Sequence, residues 1–338
     1  MTNLVILGAG SWGTALAIAL APRFNSIRLW GRNAVHIAEV RRLRENHRYL
    51  PGFLLPEWIE ATDSLAVALR DDSMVLIVVP SEYLRSVLRE ALPYFSIHTK
   101  LISATKGIEE GTWLRMSQVI ADVLPESLTL PIAVLSGPTF AREVAAGEPA
   151  AVVIASVNSG FAEEVQRSFS TSSLRLYVSE DVIGVELGAA LKNVIAIGGG
   201  ICEGLGLGSN SVAALVTRGL AEITRLAVAM GGCSQTLGGL AGLGDLVLTA
   251  TGDLSRNRLV GVQLGQGRKL PQILTEMTMV AEGVRTCRAA YQLGRSLGVQ
   301  LPIINQMYEV LYESKEPRHA IRELMDRPLT TEQAAYSR

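Results

Sequence analysis

The sequence has little that could form a metal site or a disulfide framework. Its 338 residues include only four histidines, none paired at metal-ligand spacing, and three cysteines. Cys202, Cys233 and Cys287 are odd in number, widely spaced and outside any Cys-x-x-Cys pair. We therefore expect buried free thiols in a reducing compartment, and no metal.

An excess of charge is also lacking. Lysine and arginine number 31 and the acidic residues 32, which gives a formal net charge of −1. There is no basic field to hold nucleic acid. The sequence contains no Walker A lysine loop, which disfavours phosphoryl transfer from ATP, and no Gly-x-Ser-x-Gly elbow, which argues against a serine hydrolase. We expect a small-molecule partner and no nucleic acid.

No stretch has the pattern of a membrane span or a targeting segment. The apolar run 226–244 is interrupted by six glycines, and the helical pattern before it carries Arg218, Glu222 and Arg225 on one face. This pattern predicts a buried region of a soluble protein. The N-terminus enters a strand at once, leaving no room for a signal peptide. The protein is expected to be cytoplasmic and not membrane-embedded.

A glycine-rich turn near the N-terminus organises the rest of the chain. An apolar run, Asn3–Leu7, is followed by Gly8, Gly10 and Gly13 in Gly-x-Gly-x-x-Gly spacing. Gly8 permits a tight turn, Gly10 lets the backbone approach a pyrophosphate, and Gly13 lets the next helix pack closely on the strand. The positive end of that helix would then face the phosphates.

The context of the turn favours a dinucleotide site over a plain structural turn. A helical run, 14–20, follows the glycines, and a second strand follows at Ser26–Trp30. An NAD-selective site usually places a carboxylate after that strand, but residues 30–33 offer none. Arg32 could hold a 2′-phosphate, which favours NADP(H), or could only stack on adenine. Use of both cofactors remains open.

The two halves of the chain differ in pattern. The first half alternates apolar strands with helices, which predicts a parallel sheet covered by helices. Strand-like runs disappear from about residue 179, and helical segments take over. We predict an α/β fold with a Rossmann-type dinucleotide-binding domain at 1–180 and an all-helical substrate domain at 181–338. Predicted strands lie at 3–7, 26–30, 73–79, 100–104, 131–135, 150–155 and 174–178, and predicted helices at 14–20, 35–48, 64–69, 182–197, 211–230, 284–297, 303–314 and 318–325, with Ser81 as the N-cap of a further helix.

A lysine is the natural proton donor in a chain with so few histidines. Lys192 is the only charged residue between Glu186 and Glu203 and lies among small residues. It is either partly buried with a lowered pKa, which suits acid–base chemistry, or it extends outward from a packed helix.

Other polar residues have a functional and a structural interpretation each. Lys106 follows a predicted strand and could bind an anionic substrate or lie on a solvated loop. Asp245, alone in a glycine-rich apolar run, could orient a lysine or cap a helix. The segment 255–258, Ser-Arg-Asn-Arg, could bind a phosphate or form a surface turn, and Glu282 is ambiguous.

Six segments together resemble the bacterial NAD(P)-dependent glycerol-3-phosphate dehydrogenase family over nearly the full chain. They are Gly8–Ala15, Ser103–Gly107, Leu135–Ala141, Leu191–Asn193, Gly239–Leu246 and Ser255–Asn257. Their order and separation make the match specific. The resemblance implies a helical domain of the 6-phosphogluconate dehydrogenase C-terminal type, and the NAD(P)H-dependent reversible reduction of dihydroxyacetone phosphate to sn-glycerol 3-phosphate for phospholipid synthesis.

The resemblance also implies the site residues. Lys192 would be the catalytic acid/base. The substrate site would contain Lys106, Gly137, Thr139, Lys192, Asp245, Ser255, Arg256 and Asn257. The cofactor site would add Ser11, Trp12, Arg32, Lys106, Ala141, Arg256, Val280 and Glu282 to the three glycines. Thr139 stands where many members have serine, and Asn33 where some have a second basic residue.

Two alternatives stay open from the residues alone. One is a related dehydrogenase on the same architecture, acting on a β-hydroxyacid or on 6-phosphogluconate. The other is a regulator that senses NADP(H) without chemistry, which the intact set of polar residues disfavours. A homodimer is expected mainly from the family resemblance.

Overall fold

The computed structural model describes residues 3–71, 74–277, 281–329 and 331–332, and the chain falls into two compact units. The first, which we call the sheet unit, contains residues 1–105 and 116–182. The second, the helical unit, contains residues 106–115 and 183–338. The predicted domain boundary at 180/181 stays a prediction, to which the structure adds that residues 106–115 pack with the helices.

The sheet unit alternates strands and helices along the chain. Its strands are β1 Asn3–Leu7, β2 Ser26–Trp30, β3 Ile59–Thr62, β4 Met74–Ile77, β5 Lys100–Ser103, β6 Ile132–Ser136, β7 Ala150–Ala155 and β8 Leu174–Ser179. Its helices are α1 Ser11–Leu20, α2 Ala34–Leu43, α3 Leu65–Ala68, α4 Leu84–Ala91, α5 Met116–Val123, α6 Ala141–Ala145 and α7 Ser159–Phe169.

These strands form one sheet in the order β3-β2-β1-β4-β5-β6-β7-β8. All neighbouring strands are parallel except β6 and β7, which are antiparallel. The first six strands have the 3-2-1-4-5-6 order of the dinucleotide-binding fold, whose order reverses beside β1. Leu7 lies in register with Trp30 of β2 and Ile77 of β4. The glycine turn therefore begins at the carboxyl edge of the sheet, where such folds bind ligands.

The helical unit contains no strand among its described residues. Its helices are α8 Val182–Gly204, α9 Ser209–Ala229, α10 Ser234–Leu237, α11 Asp245–Thr251, α12 Arg256–Gly265, α13 Leu270–Glu276, α14 Glu282–Ser296, α15 Pro302–Tyr312 and α16 Pro317–Met325, with one π-helical turn at Leu240–Gly244.

Helix α8 is the central element of this unit, and every residue from 184 to 202 is buried. Glycine makes such close packing possible. A Cβ at Gly200 would overlap the carbonyl oxygen of Arg258 on α12, and a Cβ at Gly261 would overlap that of Ile197 on α8. By length and composition α8 could cross a membrane, but 89% of its apolar window is buried inside the protein. That burial is the pattern of a core helix in a soluble protein.

Three local predictions were wrong. Ser81 is not a helix N-cap, because Ser81–Tyr83 forms a 3-10 turn and α4 begins only at Leu84, with Tyr83 at its N-cap position. Helix α2 ends at Leu43, well before residue 48, since Arg44 adopts a left-handed backbone with φ 54°. Cys233 is exposed, whereas the other two thiols are buried. Strand β3 was not predicted, and Ser73 lies outside the described residues.

Candidate active site

The geometry of the glycine turn leaves its backbone accessible. Gly8 has φ +129°, and a Cβ there would overlap the carbonyl of Val78. A Cβ at Gly13 would overlap the carbonyl oxygen of Gly8, so both positions require glycine. A Cβ at Gly10, the N-cap of α1, would meet no atom within 4 Å. The turn therefore presents open backbone at a helix N-terminus, where N–H groups have no partner within the helix.

A buried asparagine holds this turn in place. The Asn46 amide donates to the carbonyl oxygen of Ala9 at 3.0 Å and to Oγ1 of Thr14 at 2.8 Å, and the side chain is fully buried. Ser11 and Trp12 open α1 immediately after the turn. The indole Nε1 of Trp12 is buried without a hydrogen-bond partner among the described residues. An orphaned donor beside an open glycine turn fits a site built for a polar ligand.

Arg32 lies just beyond the carboxyl end of β2. Its Nη2 atom contacts Oε1 of Glu90 at 2.9 Å, and about half of each side chain is exposed. Asn33 caps α2 by accepting a hydrogen bond from the His36 N–H at 2.9 Å. Arg32 thus places a half-exposed cationic side chain just beyond the carboxyl edge of the sheet.

The helical unit brings three of the predicted site residues together. Both oxygens of the Asp245 carboxylate bind lysines: Oδ2 lies 2.8 Å from Nζ of Lys106, and Oδ1 is paired with Nζ of Lys192. The Asp245 side chain is fully buried, and that of Lys192 is 7% exposed. Lys192 therefore does not extend into solvent. The contacts fit the interpretation that Asp245 orients a lysine.

Thr249 completes this cluster and was missed by the sequence analysis. Lys192 Nζ donates to Oγ1 of Thr249 at 2.8 Å, while the same hydroxyl donates to the backbone carbonyl of Asp245 at 2.6 Å. Asp245 and Thr249 are four residues apart on α11, which places them on one helix face. The four-residue spacing from Asp245 was the sequence signal that could have identified Thr249. The π-helical turn directly before Asp245 is a feature that recurs at functional sites.

Burial controls the protonation of Lys192. The pKa of Lys192 is lowered to about 7, mainly because burial removes the ammonium group from water. The Asp245 carboxylate opposes this shift, and the positive charge of Lys106 adds to it. The desolvation of an ammonium group outweighs the attraction of one carboxylate that is shared with a second lysine. An amine with a pKa near neutrality can both donate and accept a proton at physiological pH.

Lys106 is carried by a segment, residues 106–115, that we call the finger. The side chain of Ile108 is buried in the core of the helical unit, and Trp113 packs against the same core. Arg115, at the far end of the finger, forms a buried ion pair with Glu186 of α8. Glu110 pairs with Arg288 of α14 at 2.7 Å on the surface. These contacts fix the backbone from which Lys106 reaches Asp245.

The Ser-Arg-Asn segment begins a helix. Ser255 is the N-cap of α12 and accepts from the Arg258 N–H at 3.2 Å, so the segment is not an ordinary surface turn. Asn257 accepts from the Gly283 N–H at 3.0 Å, which ties α12 to the first turn of α14. Burial lowers the pKa of Arg256, and the negative charge of Glu282 opposes that shift. The start of α12 combines a guanidinium, an amide and a helix N-terminus.

The remaining predicted residues lie in the sheet unit or outside the described residues. Gly137 follows β6, and a Cβ there would come within 2.8 Å of Cα of Val152. The Thr139 hydroxyl donates to the Gly137 carbonyl at 3.2 Å, and Ala141 is the first residue of α6. Val280 lies outside the described residues, so its predicted role is not described by the structure.

Comparisons with known proteins agree with this architecture. Residues 3–162 match the family described as NAD-dependent glycerol-3-phosphate dehydrogenase N-terminus, and residues 181–322 match the corresponding C-terminus. A glycerol-3-phosphate dehydrogenase (NAD(P)+) of Geobacter sp. (strain M21) is 53% identical over 330 residues, which is 98% of each chain. One from Koribacter versatilis is 52% identical over 98% of this chain and 99% of that protein.

A solved structure shows the same similarity. The crystal structure of a glycerol-3-phosphate dehydrogenase from Coxiella burnetii matches with a TM-score of 0.92 and 40% identity, over 96% of this chain and 99% of that one. The resemblance inferred from six sequence segments is thereby confirmed, as is the predicted fold class. The chain belongs to the NAD-dependent glycerol-3-phosphate dehydrogenase family.

Proposed function

We propose that this protein catalyses the reversible NAD(P)H-dependent reduction of dihydroxyacetone phosphate to sn-glycerol 3-phosphate, with Lys192 as the acid/base. Membership of the family and the named relatives support the reaction. The observation that carries the assignment of Lys192 is its burial against Asp245 and Thr249. The product would feed phospholipid synthesis, as the resemblance implies.

The cofactor, when bound, supplies a hydride from its nicotinamide ring to the ketone carbon of the substrate. The glycine turn would hold its pyrophosphate through open backbone at the start of α1. Arg32 would face the ribose 2′-position. The family resemblance adds Ser11, Trp12, Lys106, Ala141, Arg256, Val280 and Glu282 to the residues that would line the site.

Lys192 would donate a proton to the ketone oxygen as that oxygen gains negative charge. Asp245 holds the lysine in place and keeps a counter-charge beside it, while the Thr249 hydroxyl accepts a hydrogen bond from Nζ. In the oxidative direction the neutral amine would take the proton back from the alcohol. Because the pKa of Lys192 lies at about 7, either role is available near neutral pH.

The substrate phosphate would bind at the N-terminus of α12. The Arg256 guanidinium supplies charge and bidentate geometry, and helix N–H groups suit phosphate oxygens. The side-chain oxygen Oδ1 of Asn257 already accepts from the Gly283 N–H, so the side-chain NH2 group would be the part that donates to the phosphate. The resemblance adds Ser255, Gly137 and Thr139 to the substrate residues.

We further propose that the protein is a cytoplasmic homodimer. This proposal rests on the family resemblance. Light scattering of the purified protein at several concentrations would measure its mass, and a monomer throughout would overturn the proposal.

Substitution of Lys192 tests the mechanism. We expect Lys192→Ala to lower kcat for dihydroxyacetone phosphate by about a hundredfold to ten-thousandfold, the usual contribution of a positioned proton donor. The variant should still bind NADPH in a fluorescence titration. Lys100→Ala is a matched control, because Lys100 also pairs with a carboxylate, that of Glu164 at 2.6 Å, but lies at the start of β5.

Near-normal turnover of Lys192→Ala would remove the lysine from the mechanism. The wild-type protein should be assayed in parallel against a panel of keto acids. Turnover of those in place of dihydroxyacetone phosphate would favour a related dehydrogenase, and cofactor binding without any turnover would favour a regulator.

A further inference from the structure

We propose that Glu90 lowers the preference of this protein for NADPH over NADH, by competing with the 2′-phosphate of NADPH for the guanidinium of Arg32. This inference rests on the proposed cofactor role of Arg32. It assigns a specificity function to a residue of α4, a helix that carries none of the predicted site residues.

The contacts of Arg32 place it between two elements of the sheet unit. Its backbone follows β2, and its Nη2 atom reaches α4, where it lies 2.9 Å from Oε1 of Glu90 and 3.4 Å from Oγ of Ser86. Ser86 and Glu90 are four residues apart and so share the face of α4 that meets the arginine. About half of each charged side chain is exposed, at 51% and 53%, so a solvent-borne anion can reach the guanidinium.

The position of Arg32 is the one where dinucleotide-binding folds distinguish their cofactors. The end of the second strand carries a carboxylate where the 2′-hydroxyl of NAD is bound and an arginine where a 2′-phosphate is accommodated. Trp30, Gly31 and Asn33 supply no carboxylate, and the Asn33 side-chain oxygen is engaged by the His36 N–H. Discrimination at this position therefore falls to Arg32 and to whatever competes for it.

Glu90 competes only when NADPH is the ligand. A 2′-phosphate brings up to two negative charges to a guanidinium that already has a carboxylate partner, and the two anions repel each other. The neutral 2′-hydroxyl of NADH requires no such exchange, so the Arg32–Glu90 pair can persist. An exposed ion pair contributes little free energy. The measured range of that contribution corresponds to about a 1.4-fold to fivefold change in an equilibrium constant. Glu90 therefore adjusts the preference and does not abolish either activity.

The test is a set of cofactor titrations on Glu90 variants of the full chain. Glu90→Gln should lower the Kd of NADPH by about two- to fivefold and change that of NADH by less than about 1.5-fold. Glu90→Lys should increase the selectivity for NADPH further, because it adds a cation in place of an anion. The gain in NADPH affinity over the wild type should be smaller at high salt, where exposed charges are screened.

Glu163→Gln is the matched control. Glu163 is an exposed carboxylate of the same unit that pairs with an arginine, Arg167 at 3.5 Å, on α7. The Glu163→Gln substitution removes the same net charge without changing the contacts of Arg32. We therefore expect the Kd values of NADPH and NADH to equal those of the wild type. An equal NADPH gain in this control would mean that only net charge matters, and it would overturn the proposal.

A double-mutant cycle with Arg32→Ala separates the competition from other effects. If Glu90 acts through Arg32, Glu90→Gln should gain less for NADPH in the Arg32→Ala background than in the wild type. An equal gain in both backgrounds, or parallel changes for NADPH and NADH, would overturn the proposal.

These titrations also distinguish failure of the further inference from failure of the proposed function. An Arg32→Ala variant with unchanged NADPH affinity would remove Arg32 from the cofactor site and the competition with it. If the wild type does not reduce dihydroxyacetone phosphate, the proposed reaction is wrong. The cofactor titrations would still show whether Glu90 weakens NADPH binding.

Discussion

At the scale of single residues, Asp245 binds two lysines and thereby influences the protonation of Lys192. Its two oxygens bind Lys106 and Lys192 separately, so each lysine interacts with the carboxylate and with the charge of the other. A carboxylate with a single lysine partner would hold that lysine charged. Sharing weakens this effect, and burial then brings the pKa of Lys192 down to about 7.

The pH dependence of the reaction tests this coupling. Reduction needs the ammonium form of Lys192, so kcat/KM for reduction should fall as the pH rises through about 7. Lys106→Met removes a charge that lowers the pKa of Lys192, and the fall should move to higher pH. Asp245→Asn removes the group that raises this pKa, and the fall should move to lower pH. The measurement is kcat/KM against pH for the three proteins.

The opposite signs make this prediction specific. Both substitutions will reduce the rate, since both residues belong to the cluster. A loss of structure would change the magnitude of kcat/KM without moving the two profiles in opposite directions. Shifts of the same sign would show that the carboxylate and the second lysine do not control Lys192 in the way described.

The finger is the structural element that determines where Lys106 lies. It is anchored at its far end by Arg115 and Glu186, whose side chains are 11% and 3% exposed. A second anchor, between Glu110 and Arg288, lies on the surface, with 49% and 40% of the side chains exposed. The two ion pairs differ mainly in burial, which makes them a natural comparison.

We expect Glu186→Gln to destabilise the protein by about 3 kcal/mol, because it removes the carboxylate that pairs with the largely buried Arg115 guanidinium. Glu110→Gln should cost less than about 1 kcal/mol, as exposed pairs do. Urea unfolding measures both changes. In the folded protein Glu186→Gln should also raise KM for dihydroxyacetone phosphate, because Lys106 loses its fixed backbone.

The matching variant at the other end of the pair is Arg115→Lys, which keeps the charge and should retain more stability than Glu186→Gln. Equal stability losses for Glu186→Gln and Glu110→Gln would contradict the role given to burial. A destabilised Glu186→Gln protein with unchanged KM would show that the finger is structural but does not position Lys106.

Across the whole molecule, the sequence predicted features that depend on neighbouring residues. The glycine turn and the order of strand and helix around it were found because one short segment contains all of their determinants. Strand β3 was missed because it follows a Pro/Gly-broken stretch and its sequence, Ile-Glu-Ala-Thr, has no continuous apolar run. Ser81 was misplaced because Pro80 starts a 3-10 turn, and the serine then lies three residues before α4.

Features that depend on distant contacts were not predictable in this way. Nothing in the sequence near Lys106 indicates that Glu186 anchors its segment, or that Glu90 reaches Arg32 across 58 residues. Glu222 was placed on a polar helix face with Arg218 and Arg225. In the structure it is 3% exposed, because its carboxylate accepts hydrogen bonds from the Ile303 and Ile304 N–H groups at the start of α15.

Glu222 makes the stability of the fold depend on pH. Burial raises its pKa to about 7, while the two backbone N–H groups and the charges of Arg225 and Arg327 oppose the shift. A raised folded-state pKa means that the folded protein binds the proton more tightly than the unfolded chain. The contribution of Glu222 is then fully present below about pH 4.5 and is lost as the pH rises through about 7. A difference of this size corresponds to about 3 kcal/mol.

We therefore expect Glu222→Gln to flatten the pH dependence of the unfolding free energy between about pH 4.5 and 7. The amide has one acceptor oxygen for two N–H donors, so the variant should also lose about 1 to 3 kcal/mol at low pH. Urea unfolding of the variant and the wild type across this range, with Glu163→Gln as the control for an exposed carboxylate, measures the difference. A constant offset between Glu222→Gln and the wild type at every pH would mean that Glu222 stays ionised in the folded protein, and that the α15 N-terminus outweighs the burial of its carboxylate.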